Sequence, residues 1–399
     1  MRSLNSPVTQ DNTSNPGRPT SIRRGERLHF LDALRGIAAT YVVLFHLVYV
    51  GGVAAPSWLS GFVAQGGTGV MLFFVVSCFS LFFTMPARLK EARPIVSFFT
   101  HRFFRIAPLF YAWLVVTCIL MTQVYHLPVT PAAVLQSIFF VFNLVPGNQS
   151  GLVMASWTIG VEMLFYAIFP IIYFRTRNVV EAWSLLLATL LAYFAMIFLL
   201  PHLPLSPETA ASIEQWLFIK DLPIFAFGAV CYYMLRERLV NEPDEQERSL
   251  GILLLLAAAC IFVARSNSWV DDRIFAGHPY MWPAVWYSLL IIGLALNPIR
   301  LLVNRLTRFL GTISYSLYLA HGPVINTLRP WYDRLNQHHD WPATQTYMIA
   351  AIGTLLVSIA IAYATYRLIE VPFIRYGKVF YSRFFGNRQD AVTSRQIGS

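Results

Sequence analysis

Residues 28–50, LHFLDALRGIAATYVVLFHLVYV, decide the fold class. A helix of about 20 apolar residues crosses the hydrocarbon core of a bilayer. This stretch reaches that length with Asp32, Arg35 and His46 as its interior ionisable side chains. Further blocks of the same character lie near 65–85, 104–126, 155–174, 180–201, 217–236, 249–265, 280–297, 309–328 and 344–370. Over the 399-residue chain, hydrophobic residues make up 56% and charged residues 13%, about half the charged share of a soluble domain. A large buried core cannot explain that shortage, because a globular surface still has to be wetted. The expected fold is all-α, a polytopic integral membrane helical bundle of about ten transmembrane helices embedded in the lipid bilayer.

The net charge of +10 raises nucleic acid as a partner, but its distribution argues against one. Basic residues gather at alternate ends of the apolar blocks, the pattern that marks cytoplasmic loops. The clusters are Arg23, Arg24 and Arg27; Arg88, Lys90, Arg93, Arg102 and Arg105; Arg300, Arg305 and Arg308; and Arg375 and Lys378. The opposite side holds only Arg265, Arg273, Arg329 and Arg334. Both termini are therefore expected in the cytoplasm. Residues 134–145 are apolar but too short to span, and are expected to form a re-entrant or interfacial helix on the outer side. Residues 1–27 read as a disordered basic cytoplasmic tail without the features of a signal peptide. Residues 28–373 form the transmembrane domain, and 374–399 a second basic cytoplasmic tail. Cys78, Cys118, Cys231 and Cys260 lie in apolar blocks without paired spacing, so neither zinc nor a disulfide framework is expected. His338, His339 and Asp340 read as a solvated outer loop, and no metal site is expected.

An ionisable side chain at a helix centre in lipid costs about 2.5–3.5 kcal/mol or more, so those that persist are informative. Arg35 and His46 are eleven residues apart, which is three turns plus about 20°, with a rise of about 16 Å. One face of the first helix thus presents a fixed cation at the cytoplasmic end and a titratable base towards the outer leaflet. The plainer reading is a snorkelling anchor and a packed imidazole. Arg102 and Arg105, at i and i+3, share a face. Paired guanidiniums suit a phosphate-bearing ligand, though simple anchoring on the cytoplasmic side explains them too. Glu162 lies about two turns below the outer end of its span, at a depth comparable with His46, and Tyr166 follows one turn deeper. A carboxylate beside an imidazole would fix its tautomer and raise its basicity. A helix-joining hydrogen bond is the alternative for Glu162. His321 is a second intramembrane imidazole, and Arg367 with Glu370 reads as a structural pair before Pro372 ends the last span.

These residues sit in recognisable strings. Residues 31–39, LDALRGIAA, followed by His46, resemble the opening helix of the membrane acyltransferase family three. Residues 69–77 (GVMLFFVVS), 102–108 (RFFRIAP), 156–158 (SWT) through Glu162 to Phe165 and Tyr166, 313–318 (ISYSLY) and 370–373 (EVPF) are similar to that family in the same order. Met71 stands where many members carry an acid, and Cys78 where they carry Gly. Some members add a hydrolase-like domain, which these 399 residues do not contain, so the chemistry is expected within the bundle.

The resemblance implies an O-acyltransferase of a bacterial inner membrane that moves an acyl group, expected to be acetyl, from acyl-coenzyme A to a hydroxyl of a glycan, glycolipid or similar acceptor at the outer side. On that reading Arg35, Arg102 and Arg105 hold the coenzyme's phosphates, and His46 is the general base, oriented by Glu162. Asp32 and His321 line the site, and Tyr166, Tyr315 and Ser316 are candidate oxyanion donors. Eight of the ten tryptophans lie at or near the outer side: Trp58, Trp157, Trp216, Trp269, Trp282, Trp286, Trp331 and Trp341. An aromatic belt would populate both interfaces, so the bias favours a sugar-stacking surface. The competing class is a transporter or exporter of a polysaccharide or organic anion, since intramembrane His, Glu and Arg also line transport routes. A lipid-sensing scaffold is a third reading, which predicts that these residues tolerate substitution.

Overall fold

The computed structural model describes residues 28–386 apart from 240, 241, 276 and 338–340. Residues 1–27, residues 387–399 of the expected second tail, and His338, His339 and Asp340 lie outside the described residues. Among the described residues there is no strand. Ten long helices follow the ten apolar blocks: α1 (His29–Tyr49), α2 (Gly69–Arg88), α3 (Pro94–Ile119), α4 (Trp157–Arg175), α5 (Val179–Leu199), α6 (Leu222–Leu235), α7 (Glu245–Ser266), α8 (Met281–Leu296), α9 (Ser314–Asn336) and α10 (Ala343–Thr365). An eleventh, α11, runs over Val371–Phe384.

Among the described residues, eight helical stretches are long and apolar enough to cross a membrane. Of the other two, α8 is apolar but has only 16 residues. The remaining helix, α9, is long enough but carries Ser314, Ser316, His321, Asn326, Arg329, Asp333 and Arg334. Its polar first half is tolerated because it is buried against α1 and α10 rather than exposed to lipid.

The stretches holding α1, α2 and α6 are mostly buried, and those holding α5 and α7 are mostly exposed. The interior is therefore built on α1 and α2, with Phe74 and Phe165 stacked on either side of Phe225 at 4.5 and 4.0 Å between ring centroids. Helix starts are set locally by caps. Asn178 accepts from the Glu181 N–H at 2.9 Å, Asp244 and Glu247 form a capping box, and so do Asn304 and Thr307 at the head of the short helix Arg305–Thr312. That short helix packs directly on α1 at Gly36 and Gly311.

One expectation, the short non-spanning helix, shifts only in its bounds, and two others change. Residues 131–138 form a helix of only 8 residues, about 12 Å long, which does not span. Its carboxyl end is held by the Tyr111 hydroxyl donating to the Ile138 carbonyl at 2.7 Å. Beyond it, Asn143 donates to the Trp216 carbonyl and accepts from the Phe218 N–H. Secondly, α3 begins at Pro94 rather than near 104, so Arg102 and Arg105 lie in its third and fourth turns. The amphipathic first turns of α3 find cover against α11, where Phe104 meets Tyr376 and Phe380. Thirdly, Pro372 does not stop the chain's last helix. A π-turn over Tyr366–Glu370 frees the backbone there, and Pro372 enters α11 among its first residues, where a missing N–H is tolerated. Glu370 accepts from Ser316 Oγ at 2.9 Å instead of pairing with Arg367.

Between α7 and α8, His278 is fully buried. Its Nε2–H donates to the Lys220 carbonyl at 3.0 Å and its Nδ1 accepts from the Tyr280 N–H at 3.2 Å. Burial pushes its pKa down to about 4. The unfolded chain binds a proton near pH 6.5 that the folded one refuses, so stability is full above that value and falls as pH drops from there towards 4. At pH 5 the loss is expected to be about 2 kcal/mol. Thermal unfolding of purified protein between pH 7.5 and 5 checks this. The acid-induced drop should shrink in His278→Gln, and an unchanged drop would remove His278 as its source.

Candidate active site

A polar cleft of about 700 Å³, its open side included, lies among α1, α2, α3, α4 and α9. Three of its lining residues are the arginines expected to meet: Arg35 from α1, and Arg102 and Arg105 from α3. Arg35 donates to Ser80 Oγ at 2.7 Å and lies 3.5 Å from the buried carboxylate of Asp32. Arg102 stacks on the Tyr166 ring, with its guanidinium carbon 5.2 Å from the centroid. Its Nε–H is buried without a hydrogen-bond partner. A buried unpartnered charged donor is expensive unless something else satisfies it, so this cleft has capacity for an anion.

The cleft continues to Glu162 and Tyr166 on α4. Glu162 Oε1 accepts from Ser77 Oγ at 2.8 Å and from the Tyr166 hydroxyl, which also lies 3.2 Å from Ser77 Oγ. Beyond them Thr158 Oγ1 donates to the Tyr318 hydroxyl at 2.8 Å, and that hydroxyl donates to the Ala155 carbonyl at 3.0 Å. Ala155 is held at φ +62°, a left-handed conformation uncommon outside glycine. That turn presents its carbonyl to Tyr318 and starts α4.

The expected pairing of Glu162 with His46 gives way to a different one. The ring next to His46 is His321, with Nε2 of His321 3.2 Å from Nδ1 of His46 and centroids 4.9 Å apart. Carbonyls fix the tautomers, because they only accept. His46 Nδ1 lies 3.0 Å from the Val42 carbonyl, and His321 Nδ1 contacts the Tyr318 carbonyl. Both Nδ1 atoms thus carry hydrogen. His321 Nε2 accepts from His46 Nδ1–H, and His46 Nε2 is left as the basic nitrogen. His321 is fully buried and His46 half-buried.

Of the other site candidates, Tyr315 lines the cleft and donates to the Ile106 carbonyl at 2.7 Å. Ser316 is fully buried, faces Glu370 and does not line the cleft. Sequence reasoning passed over Ser77, Ser80, Thr158 and Tyr318 as site residues. A signal existed for the first two: they sit three apart on one face of α2, in a run from Gly69 to Phe83 that is otherwise apolar.

This arrangement defines a multi-pass helical membrane protein with a charged cleft among its helices. Residues 28–363 match the family model described as an acyltransferase domain, and the chain belongs to that acyltransferase family. It is similar to O-acetyltransferase OatA of Staphylococcus aureus (strain NCTC 8325 / PS 47), 24% identical over 377 residues that cover 87% of this chain and 57% of the relative. The chain therefore spans little more than half the length of that relative. It is also similar to the putative acetyltransferase ORF330 of Acidianus two-tailed virus, 24% identical over 302 residues, 72% of this chain and 80% of the other. No solved structure matches it. Among the described residues no group of His, Cys, Asp and Glu is placed to hold a metal ion.

Proposed function

We propose that this protein transfers an acetyl group from acetyl-coenzyme A, bound from the cytoplasm, to a hydroxyl of a glycan or glycolipid at the outer side of a bacterial cytoplasmic membrane. One observation carries the reading: Arg35, Arg102 and Arg105 line one cleft with a buried guanidinium N–H unpartnered, and Tyr318, whose carbonyl contacts His321 Nδ1, lines it too, while Asp32, His46 and His321 do not. A rise of about 16 Å separates the arginine end from His46 along α1, of the order of the coenzyme's extended thiol arm. The acetyltransferase names of its relatives support the acyl group, and the basic clusters support the orientation.

In this mechanism the guanidiniums grip the coenzyme's phosphates. His46 Nε2 removes the proton from the acceptor hydroxyl as its oxygen attacks the thioester carbonyl. The C–O bond forms, the C–S bond breaks, and the proton on His46 passes to the departing thiolate. His321 Nε2 stabilises the transient imidazolium by accepting its Nδ1–H. Glu162 holds Tyr166 in place beneath Arg102; Tyr166 and Tyr315 line the cleft, but their hydroxyls donate to Glu162 and to the Ile106 carbonyl, so either would have to turn from that partner to meet an oxyanion.

The test is binding of acetyl-coenzyme A to the purified full chain in nanodiscs. Arg35→Ala, Arg102→Ala and Arg105→Ala should each weaken it about 10- to 100-fold, the range for a lost charge-assisted hydrogen bond. Folded protein that binds no acyl-coenzyme A would end the donor assignment and restore transport as the working reading.

A further inference from the structure

A second cavity, about 1510 Å³ with its open side, runs along the back of α1 between α7, α8 and residues 299–310. Its α1 wall is Gly36, Ile37, Ala38, Thr40, Tyr41 and Leu44. At 100° per residue these centre about 180° from the face that carries Arg35 and His46. The cavity thus backs onto the helix that bears the proposed catalytic base without sharing its polar cleft. The opposite wall is apolar, with Leu256, Ala259 and Phe262 from α7 and Leu290 from α8.

The polar side chains in the lining are almost all engaged internally. Thr40 donates to the Gly36 carbonyl at 2.9 Å, Tyr41 to the Phe62 carbonyl, and Thr307 to the Leu302 carbonyl at 2.8 Å. Tyr287 pairs with Thr68 at 2.9 Å. Only the Trp286 indole N–H is unpartnered among them. A groove so lined selects hydrocarbon over any polar ligand. From Gly36 to Leu44 it rises about 12 Å, close to one leaflet's half of a hydrocarbon core about 30 Å thick.

Its lower end is marked by charge. Ile299, Leu302 and Thr307 line it there, and their chain neighbours Arg300 and Arg305 are exposed. Leu301 and Leu306 beside them are also exposed, at 81% and 64%, so this segment presents apolar and cationic side chains together, the signature of a membrane interface. We propose that the groove holds one acyl chain of an anionic bilayer phospholipid, whose phosphate meets Arg300 and Arg305. The lipid braces the back of α1, and its binding does not depend on acyl transfer.

Native mass spectrometry of the full chain tests this, after reconstitution in equimolar phosphatidylglycerol and phosphatidylethanolamine and extraction in mild detergent. The wild type should retain one phosphatidylglycerol per chain. Ala259→Trp fills the groove from an exposed position on α7 and should cut retention by about ten-fold or more with unchanged thermal unfolding. If that variant fails to fold, Leu256→Trp, also exposed, takes its place. The Arg300→Ala, Arg305→Ala double variant should lose the preference for phosphatidylglycerol. A wild type without retained lipid, retention that ignores the tryptophan, a preference that survives the double variant, or retention of a polyprenyl phosphate when native membranes are the source would each overturn the assignment.

Discussion

His46→Ala is expected to lower acetyl transfer by about 10²- to 10⁴-fold, the range for loss of a positioned general base, while acetyl-coenzyme A binding stays near that of the wild type. The separation of the two effects follows from geometry. The arginines that would hold the donor line the cleft, whereas His46 does not, and the contacts of Arg35 and Arg102 are with other residues. Inverted membrane vesicles supplied with labelled acetyl-coenzyme A give the readout, as label incorporated into membrane glycans. His321→Gln keeps a carbonyl oxygen able to accept from His46 Nδ1–H and should retain more activity than His321→Leu, which leaves that donor the Val42 carbonyl alone. A merely structural histidine would make the two substitutions equivalent. Near-normal transfer in His46→Ala would remove it from the reaction.

Gly311→Ala is expected to be the most damaging single-methyl change in the domain. A Cβ at that position would overlap the main-chain carbonyl oxygen of Asp32, and one at Gly36 would overlap the Thr307 carbonyl oxygen across the same seam. Both obstacles are backbone, so neither can rotate away as a side-chain tip does. The helix Arg305–Thr312 would have to lift off α1, with a cost of about 3 kcal/mol or more by overpacking. The consequence reaches the site, because Asp32 lies 3.5 Å from Arg35 and moves with that backbone. Yield of monodisperse protein and thermal unfolding in detergent check the result, and recovery of wild-type stability by Gly311→Ala would show that the seam can open freely.

Much of the site was legible residue by residue. Arg35, His46, Glu162 and His321 announce themselves because lipid penalises each of them separately, whatever its partner. The phase of α1 also follows from spacing alone, since one unbroken helix over His29–Tyr49 makes the angle between Arg35 and His46 a matter of counting. The early start of α3 was less visible. Residues 94–103, PIVSFFTHRF, break their apolar run with Ser97, Thr100, His101 and Arg102, and α11 covers this end of the helix, where His101 meets Tyr381 and Phe104 meets Tyr376 and Phe380.

The sequence by itself determined that this chain is a bundle of membrane helices, where those helices lie, and which polar side chains lipid would not leave unpartnered. Those properties depend on transfer of each segment from water to hydrocarbon, which is additive along the chain. Tertiary structure alone decided that His46 pairs with His321 rather than Glu162, that Glu162 instead holds Tyr166 and Ser77, and that the arginines of α1 and α3 share one cleft. Pairing across helices is set by their rotation and crossing, and contacts such as Gly36 and Gly311 against facing carbonyls fix these. Depth in the membrane is readable from a single segment, but azimuth around the bundle requires all of them packed together.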